Sequence, residues 1–193
     1  MRYEYYAAKL AEDYLKKGIV DGDNYPDMDL YIDQMVSCLN KELELYKTGS
    51  SGPVTKAMVS NYTKHKMIPG PDGKKYNKDH LLFMTIVFYL KNSLSMDQIQ
   101  KLMAPLLSNY NSEWDDAIDL SLLYKAFADF TREEEAGLPD RISQKIRDVK
   151  KLCAKHDAED DTSELFTLII SLIVESYAER FIAEKLLDEY FAG

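Results

Sequence analysis

Residues 54–103 read VTKAMVSNYTKHKMIPGPDGKKYNKDHLLFMTIVFYLKNSLSMDQIQKLM, which contains three helical patterns and one turn signature. A short helix is predicted from Pro53 or Val54 to about Lys66. Ile68-Pro69-Gly70-Pro71 cannot continue it, because proline lacks the amide donor and crowds the preceding turn. Pro71-Asp72-Gly73 reads as a turn and Lys74-Lys75-Tyr76 as a short strand after it. The Asn77 side chain can accept from the exposed first-turn amides of a helix whose apolar face is Leu81 to Leu90, and Ser95 does the same for Met96 to about Leu107. In the first helix Ala57, Met58 and Tyr62 are expected inward, with Lys56, Ser60, Asn61, Thr63 and Lys64 outward. Met58, Tyr62, Leu81, Leu82, Met84 and Phe88 stand at helical spacing and are expected in the core.

The helical period continues on both sides. Tyr3 to Lys17 forms a first helix, with Tyr6, Leu10 and Tyr14 on one stripe, and the loop GIVDGDNYPD follows. Asp27 or Asp29 is expected to cap a second helix running to about Tyr46, with Leu30, Met35, Leu39, Leu43 and Tyr46 on its buried side, before TGSSGP breaks it. Beyond residue 107 come helices Glu113 to Ala136 and Pro139 to Lys155, the acidic loop DAEDDTS, and a last helix from Ser163 to about Phe191. Sustained period-2 alternation is absent, so the fold class is all-α, mainly helical, with a small wing hairpin. The division expected is an N-terminal helix and loop (1–26), a winged helix-turn-helix (27–107) and a C-terminal helical bundle for dimerisation or effector binding (108–193).

The chain has 193 residues, 46% hydrophobic and 30% charged, a mix that excludes disordered and fibrous classes. Cys38 and Cys153 are too few for a disulfide framework, and the N-terminus is too charged for a signal peptide; a reducing cytoplasmic setting is expected. The longest apolar run, Leu165 to Val174, is about half a bilayer span, so no membrane partner is expected. The net charge of −9 opposes binding to phosphate, yet its distribution is uneven. Residues 47–91 carry 8 basic and 2 acidic side chains, while 1–46 carry 5 and 10 and 92–193 carry 11 and 21. A basic window between acidic flanks has the form of an interaction footprint.

A groove-entering helix, a bracing helix and a basic hairpin are the parts of a DNA reader, and Val54 to Tyr76 provides candidates in that order. The segment resembles the DNA-binding region of the MerR regulators. Tyr62 matches the aromatic that ends their helix, Met67-Ile68-Pro69 their Leu-Leu-Pro, and Lys75-Tyr76 the Arg-Tyr that closes their wing. Leu81 and Ile86 match the next helix, and Leu94 to Ile99 the "Leu-Ser-Leu-x-x-Ile" element. Ser60 stands where the family has arginine, Lys66 where it has glycine, and the wing is several residues shorter. With Asp29-Leu30-Tyr31-Ile32-Asp33-Gln34-Met35 ahead of Thr55 to Tyr62, the order more closely resembles an uncharacterised bacterial domain-of-unknown-function family described as MerR-like.

The resemblance implies a sequence-specific transcription regulator, with DNA and a second copy of the chain as partners. Its contacts are expected from Thr55, Lys56, Ser60, Asn61, Tyr62, Lys64, His65, Lys74, Lys75 and Tyr76. Asn and Ser can read base edges, and lysines suit phosphate. An alternative is a helical interaction module on the same scaffold that no longer binds DNA, which the acidic charge and Ser60 favour.

No catalytic constellation, cofactor or metal is expected. Asp115, Asp116 and Asp119, or Glu133 to Glu135, read as solvated helix faces. Gly70 to Lys74 is too short for a phosphate loop, and Cys38, Cys153, His65, His80 and His156 share no ligand spacing. In the last helix, Leu165, Leu168, Ile169, Leu172, Ile173, Tyr177, Phe181, Leu187 and Tyr190 exceed a surface stripe, so much of it is expected buried in a bundle with residues 113–155 or in a dimer seam. Tyr110, Trp114, Tyr124, Phe127 and Phe130 are expected in the core, with a small-molecule effector pocket as the other use.

Overall fold

A computed structural model describes residues 3–47, 49, 52–108, 110 and 119–191. Within them the chain is mainly helical: α1 (Tyr3–Leu15), α2 (Ile32–Glu42), α3 (Lys56–Lys64), α4 (Lys78–Leu90), α5 (Met96–Ser108), α6 (Leu120–Ala136), α7 (Leu138–Lys155) and α8 (Asp161–Tyr190). Single 3-10 turns occupy Gly22–Asn24 and Glu44–Tyr46, and two short strands, β1 (Leu30–Tyr31) and β2 (Lys75–Tyr76), form an antiparallel pair. No helix among the described residues is long and apolar enough to cross a membrane.

The chain divides into two compact units, one of Ile19–Asp129 with Leu186–Gly193 and one of Met1–Gly18 with Phe130–Lys185. This grouping differs from boundaries at 26 and 107, because α1 packs with α7 rather than standing alone.

The larger unit is built around α4. His80 through Thr85, Val87 and Phe88 are all buried, so the helix is covered on every side. Its partners are Met35, Leu39 and Leu43 from α2 and just beyond it, Val54, Val59, Tyr62, Met67 and Ile68 from α3 and its flanks, Ile99 and Met103 from α5, and Tyr124 and Ala128 from α6. The loop 19–29 is tied to the same helices by hydrogen bonds. Tyr25 Oη lies 2.6 Å from Thr85 Oγ1, Val20 N–H donates to Tyr89 Oη at 3.0 Å, and Tyr124 Oη donates to the Val20 carbonyl at 2.9 Å. Gly22 allows this approach, since a Cβ there would meet Leu82 and Tyr124 at 3.0 Å.

The predicted caps on α4 and α5 are present. Asn77 Oδ1 accepts from His80 N–H at 3.3 Å, and Ser95 and Gln98 exchange reciprocal bonds at 2.8 and 3.2 Å, the form of a capping box. The second helix departs from expectation. Neither Asp27 nor Asp29 caps it: Leu30 and Tyr31 are extended and paired to β2, and α2 starts at Ile32 with Tyr31 N–H donating to Gln34 Oε1 at 2.9 Å. The α6 start expected at Glu113 falls on residues 111–118, outside the described residues. So do Asp115 and Asp116 of the acidic cluster, and Trp114. The described helix begins at Leu120, where Asp119 Oδ1 accepts from Ser121 and Leu122.

The smaller unit has a sparse core of Ile146, Val149, Cys153 and Leu168, with Tyr3 and Ala7 from α1 and Ile142, Ala158 and Leu172 packed around it. Tyr3 Oη donates to Glu164 at 2.5 Å, and Lys150 is ion-paired with both Glu4 and Glu164. The expectation that α8 is largely buried in a bundle is not met. Leu165, Ile169, Ile173, Tyr177, Phe181 and Tyr190 are exposed, and only Leu168 and Leu187 of that apolar set are buried.

Candidate nucleic-acid interface

Thr55 begins α3, its hydroxyl accepting from Met58 N–H at 3.2 Å. The approach to the helix is fixed by Asn40 of α2, whose side-chain amide donates to the Val54 carbonyl at 2.9 Å and accepts from Val54 N–H at 2.8 Å. Gly52 lies against the same amide, leaving no room for a Cβ, which would stand 2.7 Å from it. Both backbone groups of a buried residue are thereby satisfied by one side chain, as burial requires. Asn40 is the positioning residue that sequence reasoning missed; nothing in a lone asparagine on a helix marks it.

Along α3, Val59 and Tyr62 face the core, while Lys56, Ser60, Asn61 and Lys64 are exposed, as is His65 just past its end. One inward assignment changes: Ala57 is exposed and Val59 takes its place, the buried stripe being Val59 and Tyr62 with Met58 half-buried at its edge. Thr63 is half-buried, its hydroxyl bonded to the Val59 carbonyl at 2.9 Å. Tyr62 and Tyr76, expected among the contact residues, are only 6% and 7% exposed, and both belong to the core cluster. A ring enclosed to that degree supports the surface without touching a base.

After α3 the chain turns through Lys66 at φ 52° and runs by buried Met67, Ile68 and Pro69 to a tight hairpin. Asp72 and Lys75 exchange backbone bonds at 3.0 and 2.9 Å, closing a two-residue loop. Gly73 has φ 61°, the left-handed region where hairpin turns take glycine. Lys75 and Tyr76 continue into the pair with Tyr31 and Leu30. The basic hairpin is thus anchored to the residues that open α2, and one short ribbon fixes it relative to α2 and α3.

The electrostatics are mixed. Lys56 is ion-paired with Asp33, and Lys75 with Asp29 at 3.6 Å. These exposed pairs are weak, worth well under about 1 kcal/mol. Lys64, Lys66 and Lys74 are exposed and have no carboxylate partner among the described residues.

Beneath the hairpin is a cleft of about 350 Å³ bordered by Asp29, Gly70, Asp72, Lys75, His80 and Tyr110. Buried His80 borders it, with Nε2 2.9 Å from the Gly70 carbonyl and Nδ1 accepting from Asn77 N–H at 3.2 Å. Since a carbonyl only accepts, Nε2 carries a proton. Burial lowers the pKa of the ring, partly opposed by the Gly70 bond and by Asp79 and Asp29. His80 therefore acts as a strut joining the hairpin base to the α4 cap. No group of His, Cys, Asp and Glu suited to a metal ion occurs among the described residues.

Residues 20–127, more than half of the chain, match the model of a family described as a domain of unknown function, DUF1836. The match is nearly coextensive with the first segment of the larger unit, so it takes in α2, α3, the hairpin, α4 and α5. No curated protein and no solved structure matches the chain.

Proposed function

This chain belongs to the DUF1836 family, and we propose that it is a DNA-binding transcription regulator with a MerR-like winged helix-turn-helix. In this reading α3 enters the major groove with Lys56, Ser60, Asn61 and Lys64 outermost, and the Lys74–Lys75 hairpin lies on the neighbouring phosphates. The observation that carries it is the hydrogen-bonded coupling of three parts: α2 braces α3 through Asn40, and the hairpin strand pairs with the residues that open α2. A groove reader needs that fixed offset between helix and wing.

A dimer accompanies the proposal. Half-site recognition takes a twofold, and the uncovered apolar face of α8, with Phe166, Ile173 and Tyr177 each about two-thirds exposed, fits a second copy.

The test is binding of duplexes from upstream of the gene across a salt series. We expect the slope of log K against log salt to fall by about 1 for each of Lys64→Glu and Lys74→Glu, with affinity lost uniformly. Asn61→Ala should instead relax preference at one base pair. Affinity no better than for random duplex, and indifferent to these changes, would remove the reading. The pairing of Lys56 and Lys75 with Asp33 and Asp29 favours a second one, an interaction module on the same scaffold. A stable protein complex that Lys74→Glu disrupts, with no DNA protection, would select it.

A further inference from the structure

The larger unit holds a cavity of about 460 Å³, walled by Ile86, Tyr89 and Leu90 of α4, Leu102, Met103 and Leu106 of α5, and Leu123, Tyr124 and Phe127 of α6, with Phe191 at its margin. Every lining side chain among the described residues is apolar or aromatic. The two tyrosines bring no polar group to it, because both hydroxyls are engaged with Val20, one accepting from its N–H and one donating to its carbonyl. Pro105 also borders the space from inside α5, where it lacks an amide donor and crowds the carbonyl one turn earlier. The rings of Tyr89 and Tyr124 stand 6.4 and 5.9 Å from that of Phe127, tilted and edge-on respectively, so they present both faces and edges to an occupant.

We infer that this cavity is a binding site for a small, uncharged, apolar molecule, of the size of two or three fused aromatic rings or a hydrocarbon chain of similar volume. The size falls in the range of small-molecule sites, and it is roughly three times the ~150 Å³ of an engineered apolar cavity that takes up benzene. Water gains nothing there, since it would find no partners. A charged ligand is excluded for the same reason: its charge would be desolvated without compensation. A second copy of the chain is a poorer occupant, because the cavity is a concavity between three helices, whereas the extended apolar face suited to self-association is on α8.

The full chain is titrated with N-phenyl-1-naphthylamine, an uncharged probe that fluoresces in apolar surroundings. One saturable site per chain is expected, displaced by naphthalene, and by 1-naphthoate only at a concentration about tenfold higher or more. Leu106→Trp should crowd the space and weaken probe binding severalfold. Leu123→Trp, at a position 41% exposed and so tolerant of a larger side chain, should do the same without threatening the fold. Leu122→Ser, on the same helix outside the cavity, should leave binding unchanged. The inference is overturned if both tryptophan variants bind the probe as well as the parent, if naphthoate competes as well as naphthalene, or if Leu122→Ser removes binding. It is likewise overturned if Leu106→Trp shifts the sedimentation of the chain from dimer to monomer with no probe bound in the parent, since the cavity would then be covered by a second copy.

Discussion

Helices α4 and α8 are both rich in large apolar side chains, yet they have opposite surroundings. Eight of the thirteen residues of α4 are buried, whereas along the thirty of α8 only Glu164, Leu168 and Leu187 are. The cover over α4 comes from α2, α3, α5, α6 and the loop 19–29 of the same unit. Along α8 the buried contacts within its unit are confined to one stretch around Leu168, opposite Ile146, Val149 and Cys153. An apolar helix announces that something must cover it, but not what. In the larger unit the chain covers itself; along α8 the apolar face stands exposed, and the proposed dimer would cover it.

The largest effect follows directly from that contrast. Phe83→Ala empties a fully buried site in α4 and is expected to lower unfolding stability by about 3–5 kcal/mol in a denaturant titration. Phe166→Ala, at a position 64% exposed, should change the stability of the dilute chain by no more than about 0.5 kcal/mol. It should instead weaken self-association, read as a concentration-dependent shift in sedimentation. A loss of stability in Phe166→Ala that matched Phe83→Ala and was independent of concentration would break the comparison.

A smaller change sharpens it within the larger unit. Asn40→Ala removes both bonds to Val54 and leaves a buried N–H and carbonyl unpaired, which should cost about 1–3 kcal/mol. Amide exchange of α3 should quicken while that of α7 around Val149 stays unchanged, because the two lie in separate cores. Equal acceleration in both would mean that the two units open together.

What the sequence made legible was local. Helical spacing places Leu81, Leu82, Met84 and Phe88 in the core, and the caps at Asn77 and Ser95 follow from side-chain chemistry within three residues. The hairpin at Asp72–Lys75 was marked by its own glycine. Strand β1 was not, because Leu30-Tyr31 is two residues long and extended only through its distant partner Lys75-Tyr76. One inward position of α3 differs for a related reason: in a nine-residue helix, Ala57 and Val59 both suit a buried stripe, and tertiary packing chooses Val59. Helical spacing places Tyr62 in the core while the resemblance puts it among the contacts, and Tyr76 is a contact by resemblance alone; packing buries both. The Asn40 clamp, the His80 strut and the α4–α6 cavity depend on contacts distant in sequence and left no local mark.

The smallest effect compares the two units through their helix ends. Both α3 and α7 finish with a non-glycine residue in the left-handed region, Lys66 at φ 52° and Asp157 at φ 54°. Each end has the same pair of bonds, Lys66 N–H to the Thr63 carbonyl with Met67 N–H to Tyr62, and Asp157 N–H to the Ala154 carbonyl with Ala158 N–H to Cys153. This is the Schellman arrangement, in which glycine is the usual residue because it has no Cβ to clash. Lysine has no side-chain group suited to offset that clash, while aspartate tolerates the conformation through short-range hydrogen bonding. Lys66→Gly should therefore stabilise by about 0.5–1 kcal/mol after the added freedom of the unfolded chain is counted, and Asp157→Gly by less. Lys66→Ala, which retains the Cβ, separates backbone relief from loss of charge and should give no gain. If Lys66→Ala stabilised as much as Lys66→Gly, relief of charge crowding in the basic window, rather than backbone strain, would be the cause.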